Sequence, residues 1–192
     1  YSSWARENLP ENLKAEAEAI KGNDEEICDR FCRDMTFGTS GLRGKMGLGT
    51  NRMNRIVVRR ATMGVADYLL SKHERAKVVI GYDTRAGSES YAREAAGVLS
   101  GRGIDVSLFN EPTPVPIVSF AIRYMKADGG IMITASHNPK EYNGYKVYDH
   151  FGNQIDDLKA RRIEEYINKR PYFEAFESAA KGTVEECPPD VK

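Results

Sequence analysis

The sequence predicts an α/β fold, a largely parallel sheet flanked by helices, with a helical arm in front of it. Three observations carry that reading. Short β-branched runs alternate with amphipathic stretches from Arg55 to Thr134, the pattern of strand–helix–strand units. Polar loops follow two of the strands, at Asp83-Thr84-Arg85 and from Thr134 to Pro139, where open sheets of this kind gather ligands. The composition is globular: 192 residues, 41% apolar, or roughly 45% when Gly replaces Tyr in the count.

The elements follow in order. Glu11 to Cys32, rich in Ala, Glu and Lys behind Pro10, reads as helix broken near Gly22-Asn23. Phe37 to Asn54 is a glycine-rich connection. Val58, Ala61, Val65, Tyr68 and Leu69 then recur at helical spacing. Lys77 to Tyr82 (KVVIGY) is a short β-branched run that reads as a buried strand. Glu89 to Leu99 reads as helix, ended by Gly101 and Gly103, and Asp105 to Phe109 as a second strand. After a proline-bearing loop, Ile117 to Met125 reads as helix, Gly130 to Thr134 as a third strand and Tyr145 to Tyr148 as a fourth. Asp156 to Lys169 is a charged helix. The chain therefore divides into an arm over 1–36, an α/β domain over 37–180 and a linker over 181–192.

Charge and hydropathy exclude several functions. Lys and Arg total 28, as do Asp and Glu, so there is no basic excess for general nucleic-acid binding. No apolar run comes near the roughly 20 residues that cross a bilayer. The first residues, YSSWARENLP, hold no hydrophobic signal region and no initiator Met, and VEECPPDVK ends in a proline-bearing stretch; a piece of a longer protein is expected. Cys28 and Cys32 lie one helical turn apart, with Cys187 distant, so reduced thiols in a cytoplasmic protein are expected.

Two nucleotide motifs fail in the glycine-rich stretch. Gly44-Lys45 has Thr39 where a P-loop needs Gly, and Met46 where it needs Ser or Thr. Gly47-x-Gly49 is followed by Arg52 where the dinucleotide fingerprint needs Gly. Gly38, Gly41, Gly44 and Gly47 nevertheless recur every third residue around Arg43 and Lys45. Such a stretch suits an anion, gripped by backbone amides and a guanidinium fork, or else is a turn-rich connection with two surface cations. In the later loop, Ser136 is flanked by His137 and Asn138. An acyl-transfer nucleophile there would lack the G-x-S-x-G elbow. A serine near cations better suits phosphoryl transfer, where positioning and charge dominate. His137 alone reads as an ordinary loop histidine, and Lys146 alone as a solvated edge charge. His73, His137 and His150 are scattered and no Cys-x-x-Cys occurs, so a Cys/His metal site is not expected.

Thr134-Ala135-Ser136-His137-Asn138-Pro139 resembles the phosphoserine signature of the α-D-phosphohexomutase superfamily, the phosphoglucomutases and phosphomannomutases. FGTSGLRGKMG at 37–47, GYDTR at 81–85 and EYNGYKVY at 141–148 agree in order and spacing. The last, with WARENLP, resembles most the phosphoglucomutase/phosphopentomutase branch. The resemblance implies domain I of a four-domain enzyme, with a mixed, largely parallel sheet. It also implies a reaction: a phosphoryl group moves between the C1 and C6, or C1 and C5, hydroxyls of a sugar phosphate. Ser136 would carry the group, and a sugar 1,6-bisphosphate would be intermediate and activator. By position in the motifs, Arg43 would approach the phosphoserine, Lys146 and His137 would be acid and base, and Asn138 and Thr134 would shape the loop. Arg43, Ser136, Asn138 and Lys146 would contact substrate. Mg²⁺ would bind the Ser136 phosphate together with aspartates of a second-domain loop that this sequence lacks. The implied partners are sugar phosphates and the remaining mutase domains, with no nucleic acid or membrane. This domain alone is expected to be inactive. The alternatives are a silent sugar-phosphate-binding module and, less compatible with the motifs, a serine hydrolase.

Overall fold

A computed structural model describes residues 1–175 and 180–191. The helices are α1 (Glu11–Ala19), α2 (Asp24–Phe31), α3 (Arg55–Leu70), α4 (Ser88–Gly101), α5 (Val115–Tyr124) and α6 (Asp157–Asn168). The strands are β1 (Leu42–Lys45), β2 (Lys77–Tyr82), β3 (Asp105–Leu108), β4 (Gly129–Ile133), β5 (Tyr142–Asp149) and β6 (Val184–Glu186). They form one sheet in the order β1-β5-β4-β2-β3-β6. β4, β2, β3 and β6 are mutually parallel, while β5 runs antiparallel between β4 and β1. The sheet is therefore mixed and largely parallel, with helices on both faces.

The alternation of side chains along each strand sorts the core into two layers. Val78, Ile80 and Tyr82 of β2, Ile131 and Ile133 of β4, and Tyr145 and Val147 of β5 pack under α3, α4 and α6. Val79, Met132 and Tyr148 face the other way, against Val118, Ala121 and Ile122 of α5. On that second face β2 carries Gly81, where an added Cβ would lie 2.4 Å from Val118 Cγ2. The missing side chain is what lets α5 lie close on the sheet.

The arm packs onto the first layer. Leu13 and Ala17 of α1, with Trp4, Leu9 and Ile20, are buried in it. Chain reversal at Gly22 (φ +80°) and capping by Asn23, whose side chain accepts from Glu26 N at 3.1 Å, separate α1 from α2 as the sequence suggests. Glu16 Oε2 then accepts from Arg30 Nη1 and from the Leu48 amide, each at 2.8 Å, which fastens both arm helices to the glycine-rich stretch. Asn54 holds the same stretch from the other side. It caps α3 through Val57 N (3.0 Å) and donates to the carbonyls of Gly47 (2.9 Å) and Gly49 (3.0 Å).

Four readings of the sequence need correction. Leu42–Lys45, inside the glycine-rich connection, is a strand. Its partners are residues 142–145, about a hundred positions away, so no local pattern announces it. β5 spans Tyr142–Asp149 rather than 145–148. Residues 184–186, read as part of a linker, extend the sheet beside β3, with Cys187 and Val191 buried behind them. Cys28 and Cys32, read as separate thiols, are joined as a disulfide across the end of α2.

Candidate functional site

The loop between β4 and β5 sits at the carboxyl end of β4, where a parallel sheet offers its binding crevice. Thr134 and Ala135 are buried, whereas Ser136 and His137 stand exposed. Ser136 adopts φ +58°, a left-handed conformation in which its Cβ crowds the backbone. Such a conformation persists only where the surroundings impose it. Here they do so in several ways. The Ser136 amide donates to Thr134 Oγ1 at 2.9 Å, and the Asn138 amide donates to the Ala135 carbonyl at 3.1 Å.

Arg85 imposes the rest. Its guanidinium donates to the carbonyls of Ser136 (2.7 Å), Asn138 (2.7 Å), Pro139 (2.8 Å) and Tyr142 (3.2 Å). One planar fork thus fixes both ends of the loop. Asp83 aims that fork: its Oδ2 lies 3.2 Å from Arg85 Nε, and its Oδ1 accepts from the Arg85 amide (3.0 Å) and from Ser88 Oγ (2.6 Å). Buried Asn143 completes the network, donating to Ser88 Oγ at 2.9 Å and to the Ala86 carbonyl at 3.1 Å. The role of Arg85 toward the loop was not legible in the sequence, because its acceptors there are main-chain carbonyls that any residue supplies.

Arg43 and Lys146 enter from the neighbouring strands. Arg43 is paired in register with Gly144, and Lys146 lies two residues further along β5. Their side chains therefore leave the sheet on one face, opposite to that of Leu42 and Tyr145. Gly144 lets the three segments meet, since a Cβ there would lie 2.6 Å from the Thr134 carbonyl oxygen and 2.9 Å from that of Leu42. Arg43 is exposed and Lys146 half-buried. Burial, and then the adjacent Arg43 charge, hold the Lys146 ammonium below its ordinary 10.5, with Asp83 opposing. The structure thus groups Arg43, Lys146 and Asp83 beside the loop that presents Ser136. Asn138 serves that loop through its main chain, while its side-chain Oδ1 is buried without a hydrogen-bond partner among the described residues.

The donor set for a metal is thin. Among the described residues no three or more His, Cys, Asp and Glu side chains are grouped so as to hold an ion. Asp83, the carboxylate of that network, is occupied by Arg85 and Ser88. The described residues of this chain do not by themselves form a metal cage.

Comparison with known proteins agrees with this fold. Residues 34–173 match the family model for phosphoglucomutase/phosphomannomutase, alpha/beta/alpha domain I. A Staphylococcus haemolyticus phosphoglucomutase is 44% identical over 138 residues, 72% of this chain and 25% of that protein. A human phosphopentomutase is 40% identical over 188 residues, 92% of this chain and 30% of that protein. Among solved structures, a Thermus thermophilus protein assigned as a phosphomannomutase superposes with a TM-score of 0.70. It is 34% identical, and the match covers 80% of this chain and 33% of that one. The chain thus spans about a quarter to a third of the length of these relatives. With its mixed sheet, its Ser136 loop at the carboxyl end of β4 and this match over 34–173, the chain belongs to the phosphoglucomutase/phosphomannomutase family and carries that family's domain I.

Proposed function

We propose that this chain is the phosphoryl-carrying domain of a phosphosugar mutase acting on glucose or pentose phosphates. The observation that carries the reading is the Ser136 loop. An exposed hydroxyl is held in a left-handed backbone by Arg85, beside two cations from neighbouring strands. Phosphoryl transfer asks a protein mainly for such positioning and for charge on the equatorial oxygens.

In the proposed cycle Ser136 rests as its phosphate ester. The bond between phosphorus and Ser136 Oγ breaks as one forms to a sugar hydroxyl oxygen. The hydroxyl proton passes to a base, and Oγ takes up a proton. The sugar bisphosphate reorients, and its other phosphoryl group returns to Ser136 by the reverse exchange. Arg43 faces the phosphoryl oxygens in this scheme. Lys146 moves protons, a role helped by a lowered pKa, because a neutral amine becomes accessible nearer neutral pH. His137, exposed beside Ser136, is the second proton carrier. Mg²⁺ would supply further charge at the Ser136 phosphate, with its remaining ligands outside this chain.

The test is the mass of the full-length protein as purified, with fragmentation to locate any phosphoryl group. A single phosphoryl group on Ser136 that leaves on addition of sugar phosphate is the expected result. A Ser136 that is unmodified and refuses a phosphoryl group from a sugar bisphosphate with Mg²⁺ would overturn the reading in favour of a silent binding module.

A further inference from the structure

At the other end of β4 the chain encloses a second feature that the mutase reading does not use. A cavity of about 610 Å³ opens between α3, α6 and the amino end of the sheet. Its floor is apolar, built by Val65, Leu69, Val78, Ile131, Val147 and Ile163. β4 starts there with two glycines; a Cβ at Gly129 would lie 3.0 Å from the Tyr148 carbonyl oxygen and 4.0 Å from Leu69 Cδ2. β4 runs five residues, so about 16 Å of strand separates this end from the Ser136 loop. The volume and the mostly apolar wall are those of small-molecule sites.

The rim is charged and predominantly basic. Lys72, Arg123, Lys126 and Lys159 line the cavity against Asp128 and Asp149. Both carboxylates are already engaged: Asp149 pairs with Lys159 at 2.9 Å, while Asp128 accepts from the Lys77 amide (2.9 Å) and approaches His73 (3.4 Å). Lys72 is parked over the Tyr68 ring, 4.6 Å from its centroid. Lys126 is held at φ +52°, a left-handed position after α5 that glycine would occupy without strain. A lysine there sets a cation at the mouth of an apolar cavity against the backbone's own preference. Phe151, 61% exposed, adds an apolar side chain to the same rim.

We propose that this cavity binds a small amphipathic anion, a medium-length alkyl or aryl carboxylate whose apolar body fills the floor. Its carboxylate meets Lys72 and Lys126. The site is separate from the Ser136 loop and does not depend on phosphoryl transfer.

The experiment is calorimetric titration of the full chain with dodecanoate, and with dodecanol as the neutral control, followed by amide chemical shifts. Saturable one-to-one binding of dodecanoate, at least tenfold tighter than dodecanol, is expected, with shifts at Gly129, Gly130 and Ile131. The Lys72→Gln/Lys126→Gly double variant should weaken dodecanoate at least tenfold. Glycine suits the left-handed backbone at position 126, so the fold is kept, and an unchanged melt confirms it. Absence of saturable binding, equal affinity for dodecanol, or indifference to the double variant would overturn the proposal. So would shifts confined to the Ser136 loop, or a chain that sediments with anionic vesicles while ignoring free dodecanoate.

Discussion

Replacing Arg85 by Met removes a guanidinium that makes four hydrogen bonds to loop carbonyls and pairs with Asp83. A hydrogen bond from a charged donor contributes about 1.5–3 kcal/mol, but these carbonyls lie near the surface and rehydrate when the donor leaves, so the values do not sum. A net loss of about 2–3 kcal/mol follows for the chain. At this size that lowers Tm by about 5–10 °C. The larger effect is on geometry. Ser136 sits in a backbone conformation disfavoured by about 1–2 kcal/mol, and without the clamp the loop relaxes out of it. Displacement of a reacting group by about 1 Å costs on the order of 10²-fold in rate. The assay is the rate at which Ser136 of the full-length protein takes a phosphoryl group from a sugar bisphosphate, read by mass, beside a thermal melt. Arg85→Lys should fall between, because an ammonium keeps the charge but cannot span carbonyls at both ends of the loop. A Met variant with lowered Tm and wild-type transfer would reduce Arg85 to a stabilising role. Unchanged Tm and unchanged rate together would refute the clamp.

Three further outcomes follow from the same geometry. With Lys146 as base, the transfer rate should rise with pH through a lysine pKa below 10.5. Removing the neighbouring like charge by Arg43→Gln should move that limb to higher pH, and a limb that moves down or stays would contradict the coupling. Ser136→Gly should abolish phosphorylation yet melt no lower than wild type. Relief of about 1–2 kcal/mol of backbone strain outweighs about 0.5–1 kcal/mol of added chain entropy, and a clear drop in Tm would count against the strained loop. Gly144→Ala drives a methyl into the carbonyl oxygens of Thr134 and Leu42. It should cost about 2–3 kcal/mol by chemical denaturation and slow transfer, whereas a neutral substitution would mean that β1 and the loop meet less closely.

What the sequence revealed and what it hid divide along a physical line. β2 and β4 are legible because both faces are covered, which forces a continuous apolar run such as KVVIGY. α3 is legible from its buried stripe. β1 and β6 are not, because each is an edge strand defined by its partner rather than by its own residues. Leu42 is the only buried side chain of β1, and β6 is exposed throughout. The site divides likewise. Ser136, His137, Arg43 and Lys146 are set by motif, and the fold brings Arg43 and Lys146 onto one face of neighbouring strands. Arg85 stands in the GYDTR motif with no evident role there, since its partners are carbonyls of a segment more than fifty residues away. The burial and the Arg43 charge that lower the lysine, and the Asp83 charge that opposes them, also depend on separate segments, and no local spacing carries the effect.

The arm bears on how such a domain is to be cut and inherited. The domain-I family model matches from residue 34 to 173, but Trp4, Leu9, Leu13, Ala17 and Ile20 are interior residues, and Glu16 holds the Leu48 amide. A version trimmed to the matched stretch would present that apolar surface to water and release the segment that leads into α3. What the domain-I family model matches is thus shorter than what folds together. The residues before 34 are free to vary in sequence only so far as they still seal the same seam.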